Sequence, residues 1–129
     1  MPHSPRWGLF ARRPLTRWNR GPVVLLGDAA HAMLPHHGQG ANQTIGDAFV
    51  LAEELGSGSD VQAALHRYLT RRQARTRKVQ LMSWAASAAL HLPDGATTQC
   101  RDACLARLPE RLAWIHGHDV LSQTRNDLG

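Results

Sequence analysis

The sequence predicts an α/β chain in which one parallel-type strand is followed by mainly helical structure. Three stretches carry that expectation. Val23-Val24-Leu25-Leu26 is apolar without alternation, Gly38-Gln39-Gly40-Ala41-Asn42 opens a helical pattern, and residues 61–90 repeat apolar side chains at helical spacing. An unbroken apolar run suits a strand covered on both faces, as in a parallel sheet, better than a half-exposed edge.

The strand leads into Gly27 and Asp28. In open α/β sheets ligands bind beyond the carboxyl ends of the strands, so Asp28 stands where a carboxylate can accept hydrogen bonds from a sugar or polyol. An Asp after a Gly also suits a plain turn. A loop with Pro35, His36 and His37 follows, and then the glycine pair opens a helix whose apolar side is expected to include Ile45, Ala48, Phe49, Leu51, Ala52 and Leu55. First-turn amides lack helical acceptors, and glycines there let backbone approach a ligand, which favours an anion.

From about Val61 to Leu90 a long helix is expected, with Val61, Leu65, Tyr68, Val79, Met82 and Ala86 on one stripe. Arg67, Arg71 and Lys78 gather on another side, read as a solvated basic face. Arg72 and Arg75 fall inside the apolar stripe. Buried arginines need partners, so both are expected to reach carboxylates or carbonyls of the domain the helix docks on, which precedes it in the chain, and to pin the helix there; the alternative leaves their stems on the surface with heads in water. Pro93-Asp94-Gly95 reads as a turn after this helix, and Cys100 and Cys104 fall four apart on a short helix, poorly placed for a disulfide and expected to be reduced.

The residues from Val23 to Asn42, containing Gly-Asp-Ala-Ala-His at 27–31 and Gly-Gln-Gly-Ala-Asn at 38–42, resemble the second flavin-contacting motif of the FAD-dependent aromatic hydroxylases. Leu9 to Trp18 resembles the family's segment leading into the strand, Ala64 to Tyr68 with Arg72 and Arg75 its long following helix, and His91 to Gly95, Arg101-Asp102-Ala103 and Trp114 to Val120 the tail of the salicylate hydroxylase-like branch. The chain is thus similar to the C-terminal portion of a single-component flavin monooxygenase. Four positions depart from the family pattern: Arg12 and Gly46 where acidic residues are usual, and the His36-His37 pair in the loop.

The resemblance implies FAD as cofactor, with Gly27, Asp28, Pro35, Gln39, Gly40, Ala41 and Asn42 as its binding residues. Asp28 would hold the ribityl chain. The Pro35 carbonyl and the loop to Gln39 would line the reacting side of the ring, with His36 and His37 facing flavin or substrate, and the amides at 40–42 would meet the negative charge of reduced flavin. The family reduces FAD with NAD(P)H and hydroxylates an aromatic substrate with O2. Its Gly-x-Gly-x-x-Gly turn for the pyrophosphate does not occur in these residues, so the chain is expected to be incomplete alone and to need a complementing N-terminal portion. The implied layout is 1–17 leading from the substrate domain, 18–56 ending the FAD-binding domain, and 57–129 forming a C-terminal helical region.

Two other readings come from composition. Fifteen Lys and Arg against ten Asp and Glu raise a basic nucleic-acid-binding module, but the solvated-face pattern argues against nucleic acid as a partner. A non-catalytic helical interaction module is the other alternative. His31, His36, His37, His116 and His118 make no converging ligand set, so no metal is expected. No stretch approaches the roughly 20 apolar residues of a membrane span and no secretion signal is visible, which points to a cytoplasmic protein.

Overall fold

The computed structural model describes residues 5–120 and 122. The two-residue strands β1 (Asn19–Arg20) and β2 (Val23–Val24) precede a single helical turn, α1 (Asp28–His31), and a 3-10 turn at Pro35–His37. Then come the helices α2 (Gln39–Gly56), α3 (Val61–Leu90), α4 (Ala96–Leu105) and α5 (Leu108–His116). The chain divides into two compact units, Met1–Trp84 and Ala85–Gly129.

The expected strand is shorter than its apolar run and is antiparallel. Asn19 pairs with Val24 and Arg20 with Val23, and the Leu25 amide continues the ladder by donating to the Trp18 carbonyl at 2.8 Å. A parallel partner needs a crossover connection of a dozen residues or more, whereas a hairpin needs two. Gly21 at φ +57° and Pro22 supply that short turn. Val23 is 64% exposed, so the run is not covered on both faces here.

The core of the first unit forms around Trp18, Ala30, Val50, Ala64, Leu65, Tyr68 and Val79, all buried. The Trp18 ring lies 5.5 Å from that of His31 and 6.2 Å from that of Tyr68, centroid to centroid. The Tyr68 hydroxyl donates to the Leu25 carbonyl at 3.1 Å, tying α3 to the segment after β2. Asp60 caps α3, its Oδ1 accepting from the Gln62 and Ala63 amides at 2.9 and 3.2 Å.

The face that α2 buries is not the expected one. Gln39, Gln43, Gly46, Asp47, Val50 and Glu54 are buried, while Ile45, Phe49 and Leu55 are exposed, Ile45 at 67%. Ala48 and Ala52 are exposed too, and Leu51 is half-buried. Polar side chains turn inward because α3 presents hydrogen-bonding partners rather than an apolar wall, which removes the desolvation cost of burying them.

On α3, Leu65, Tyr68 and Val79 are buried as expected, Met82 and Ala86 are half-buried and Val61 is exposed. The basic side is solvated at Arg67 and Lys78, both exposed, while Arg71 is half-buried. Arg67 Nε lies 2.6 Å from Glu54 Oε2, and Arg71 Nη1 reaches Glu53 at 2.7 Å and Glu54 at 2.8 Å. Burial raises the Glu54 pKa, but Arg71 and then Arg67 outweigh it and hold the carboxyl below its usual range.

In the second unit, Leu112 and Ile115 of α5 are buried. Cys100 and Cys104 lie on α4 as exposed free thiols. Residues 93–95 form the bend between α3 and α4.

Candidate functional site

Gly27 begins the site, at φ +59°, in the left-handed region that glycine enters without strain. A β-carbon on it would lie 2.9 Å from Thr44 Cγ2 and Oγ1, so α2 packs directly on this backbone. Gly27 thereby lets the chain turn into α1 and expose Asp28 while staying against α2.

Asp28 shares an open cavity of about 560 Å³ with Met33, Leu34, Pro35, Gly38, Gly40, Ala41, Thr44 and Ile45. Four of the expected binding residues, Asp28, Pro35, Gly40 and Ala41, are therefore brought together. Gly27, His36, His37, Gln39 and Asn42 lie outside this lining. Gln39 is buried and its Oε1 accepts from Gln43 Nε2 at 3.0 Å. Asn42 is exposed.

The loop between α1 and α2 is held from α3. The Leu34 amide donates to Ser83 Oγ at 3.2 Å, and His37 Nε2 lies 3.3 Å from the Met82 carbonyl, a distance at which it donates. Gln80 Nε2 donates to the Arg12 and Ala32 carbonyls at 2.7 and 2.9 Å. Gly38 at φ +62° ends the 3-10 turn, its amide donating to the Pro35 carbonyl at 2.9 Å, and starts α2. Beyond their own chain neighbours and local helix backbone, nothing lies within 4 Å of where a β-carbon would stand on Gly38 or Gly40, so both backbones are open to a ligand.

Beneath the cavity lies a charged cluster that sequence reasoning missed. Asp47 is fully buried. Its Oδ2 accepts from the Gly27 amide at 2.9 Å and from His31 Nε2 at 2.6 Å, and its Oδ1 accepts from Arg72 Nε at 2.8 Å. Burial raises the Asp47 pKa, but the hydrogen bonds from His31, Gly27 and Arg72 outweigh it and the carboxyl lies below its usual value.

Arg72 is 2% exposed and also donates from Nη2 to the Gln43 carbonyl at 3.1 Å and to Gln43 Oε1 at 2.9 Å. The expectation that it reaches carboxylates and carbonyls of the preceding segment is met. Arg75 is half-buried, its pKa lowered by burial and by the neighbouring Arg72 charge. Burial, then the Asp47 charge, raises the Tyr68 pKa far above its ordinary range, so its hydroxyl stays a proton donor to Leu25.

The signal for this cluster was present as spacing. Gln39, Gln43 and Asp47 recur every fourth residue on α2, and Arg72 is the misplaced cation on the α3 stripe. The two irregularities answer each other. Gly46 belongs to the same arrangement, because a β-carbon there would lie 3.0 Å from Arg72 Nη2 and 3.2 Å from its Cζ.

The cavity therefore offers one exposed carboxylate, first-turn amides at the positive end of an 18-residue helix with no acidic residue in its first turn, and a short apolar wall. That donor set fits a ligand carrying both hydroxyls and negative charge, as FAD does. Among the described residues no group of three or more His, Cys, Asp and Glu is placed to hold a metal ion.

Residues 5–83 match the family model described as FAD binding domain. The chain is 44% identical over 118 residues to 3-amino-4-hydroxybenzoate 2-monooxygenase PtmB3 of Streptomyces platensis, an alignment covering 88% of this chain and 30% of that one. Its fold is similar to a salicylate hydroxylase substrate complex, with a TM-score of 0.75 and 36% identity over 88% of this chain and 28% of the other. It is also similar to Klebsiella pneumoniae HpxO complexed with FAD, with a TM-score of 0.72 and 31% identity over 87% and 30%. The chain thus spans about a third or less of the proteins it matches. With the matching model covering well over half of its residues, this chain belongs to the FAD binding domain family, whose cofactor is FAD.

Proposed function

We propose that this chain supplies the C-terminal part of the flavin site of a monooxygenase that hydroxylates an aromatic substrate with NAD(P)H and O2. The observation that carries the reading is the joint lining of one cavity by Asp28 and the first turn of α2. FAD, when bound, supplies the redox and oxygen chemistry. Asp28 accepts hydrogen bonds from the ribityl hydroxyls, while the amides of Gln39, Gly40, Ala41 and Asn42 and the α2 dipole favour negative charge on the ring. Gly27 shapes the turn that presents Asp28. The Pro35 carbonyl lines the reacting side, and His36 and His37 belong to the same substrate-facing loop.

Residues 1–17 lead from the substrate domain, 18–56 complete the FAD-binding domain and 57–129 form the C-terminal helical region; residues 1–4, 121 and 123–129 fall outside those described. A nucleotide-binding portion, on a complementing N-terminal chain, covers the outward apolar side of α2 and pairs the Val23–Leu26 run in parallel. The exposure of Ile45, Phe49 and Val23 supports this. Pairing of Arg67 and Arg71 with Glu53 and Glu54 favours it over nucleic-acid binding. No helix among the described residues is long and apolar enough to cross a membrane, and the exposed free thiols of Cys100 and Cys104 suit the reducing cytoplasm.

The test is flavin absorbance of the purified chain, alone and co-expressed with a family N-terminal portion carrying the Gly-x-Gly-x-x-Gly turn. Stoichiometric FAD in the co-purified complex, with NAD(P)H oxidation stimulated by an aromatic carboxylate, is the expected result. A complex that forms without FAD rejects the assignment.

A further inference from the structure

Asp47 does not line the cavity, yet the two donors that meet its Oδ2 flank Asp28 in the chain. Gly27 immediately precedes Asp28, and His31 ends the same helical turn. The turn that carries the cavity's carboxylate is therefore anchored at both ends to one buried acceptor. The third donor, Arg72, holds Asp47 from α3 and with its other arm binds Gln43, the neighbour of the cavity residue Thr44. A single cluster thus ties together the Asp28 turn, the opening of α2 and α3.

Stability alone is a poor reason for such a cluster. Burying an ion pair costs desolvation that packed apolar side chains would avoid. What an apolar residue cannot do is hold the Gly27 amide and the His31 ring at one point. Among the described residues His31 Nδ1 has no hydrogen-bond partner, so the ring's orientation rests on its bond to Asp47.

We infer that Asp47 is a positioning residue, which sets the Asp28 carboxylate against the first turn of α2 through Gly27, His31 and Arg72. Its consequence for FAD rests on the cofactor reading above; the positioning itself does not.

Amide hydrogen exchange followed by NMR on the full 129-residue chain tests the positioning, with FAD titration as a separate readout. Val50→Ala serves as the packing control, because Val50 is buried on the same helix and makes no polar contact. Asp47→Asn is expected to lower protection of the Gly27 amide and the Asp28–His31 turn at least tenfold more than that of the α3 amides around Tyr68. Val50→Ala is expected to lower all of these evenly. In FAD titration of the complex with the nucleotide-binding portion, Asp47→Asn should weaken binding at least tenfold and Val50→Ala less than threefold.

An even loss of protection in Asp47→Asn, matching the control, overturns the inference. A local loss of protection, in a protein whose complex with the nucleotide-binding portion takes up no FAD, upholds the positioning and rejects the cofactor reading. Should Asp47→Asn fail to fold, Arg72→Lys keeps the charge while removing the Nε donor, and it must lower Gly27 protection at least threefold. Unchanged protection in that variant overturns the inference as well.

Discussion

The Gly46 backbone faces the Arg72 guanidinium across the α2–α3 contact, so closely that a β-carbon on Gly46 would stand 3.0 Å from Nη2. Glycine inside a helix normally costs about 1 kcal/mol relative to alanine. Here it makes room for a buried cation whose displacement would strip Asp47 of a donor. Losing one partner of a buried pair costs about 3–5 kcal/mol, and a forced shift costs part of that. Gly46→Ala is therefore expected to destabilise the chain by about 1 kcal/mol net, against the usual helix rule. Urea unfolding decides it, and a gain in stability would show that Arg72 yields without loss.

Gly27 combines a left-handed backbone with a steric demand. Gly27→Ala should cost about 3 kcal/mol, from the positive φ and from the 2.9 Å approach to Thr44. In a Thr44→Ala background the steric part falls away, and about 1–2 kcal/mol of backbone strain remains. A double-mutant cycle by thermal unfolding measures the difference, and strictly additive costs would show that Thr44 is not what Gly27 accommodates.

Asp28 is exposed, so its removal should leave stability within about 0.5 kcal/mol. In the flavin site proposed above its contribution is to the ligand. A hydrogen bond to a charged group is worth about 1.5–3 kcal/mol, so Asp28→Ala should weaken FAD about tenfold or more in the completed protein. Fluorescence titration with FAD reads this directly, and equal affinity would remove Asp28 from the cofactor site.

Acid stability follows from Asp47 and, more weakly, Glu54. Both pKa values are lowered on folding. A depressed carboxyl contributes stability that is fully present above the unfolded value of roughly 4 and is lost as pH falls through the folded value. Unfolding free energy should therefore be insensitive to these two groups from about pH 5 to 8 and fall steeply below about pH 4. In Asp47→Asn the acid slope should be shallower, because the unfolded state no longer takes up that proton. An identical slope in both proteins would assign the acid transition to other carboxylates.

Much of the site is local, and local features are legible. The turn glycines, the carboxylate after the apolar run, the glycine-opened helix and the long α3 all follow from residue types at fixed spacing, and the structure places Asp28, Pro35, Gly40 and Ala41 on one cavity. The face of α2 was read wrongly because periodicity reports which side chains are apolar, whereas burial depends on what stands opposite. Opposite α2 stands Arg72, so Gln43 and Asp47 turn inward and Ile45 and Phe49 outward. The antiparallel pairing with β1 was not legible for a similar reason. An apolar run can be recognised alone, but its pairing depends on which backbone is within reach, and here Gly21 and Pro22 bring Asn19 and Arg20.

By itself the sequence determined the family motif, the glycine-opened α2 and the long α3, because these rest on backbone conformation and short-range chemistry. Only the tertiary structure decided that Gly27, His31, Asp47 and Arg72 share one buried carboxylate. Those residues are distant in the chain, and each has an ordinary reading until the others surround it. A buried charge is tolerable only when several donors converge, and that convergence belongs to packing rather than to any one stretch of sequence.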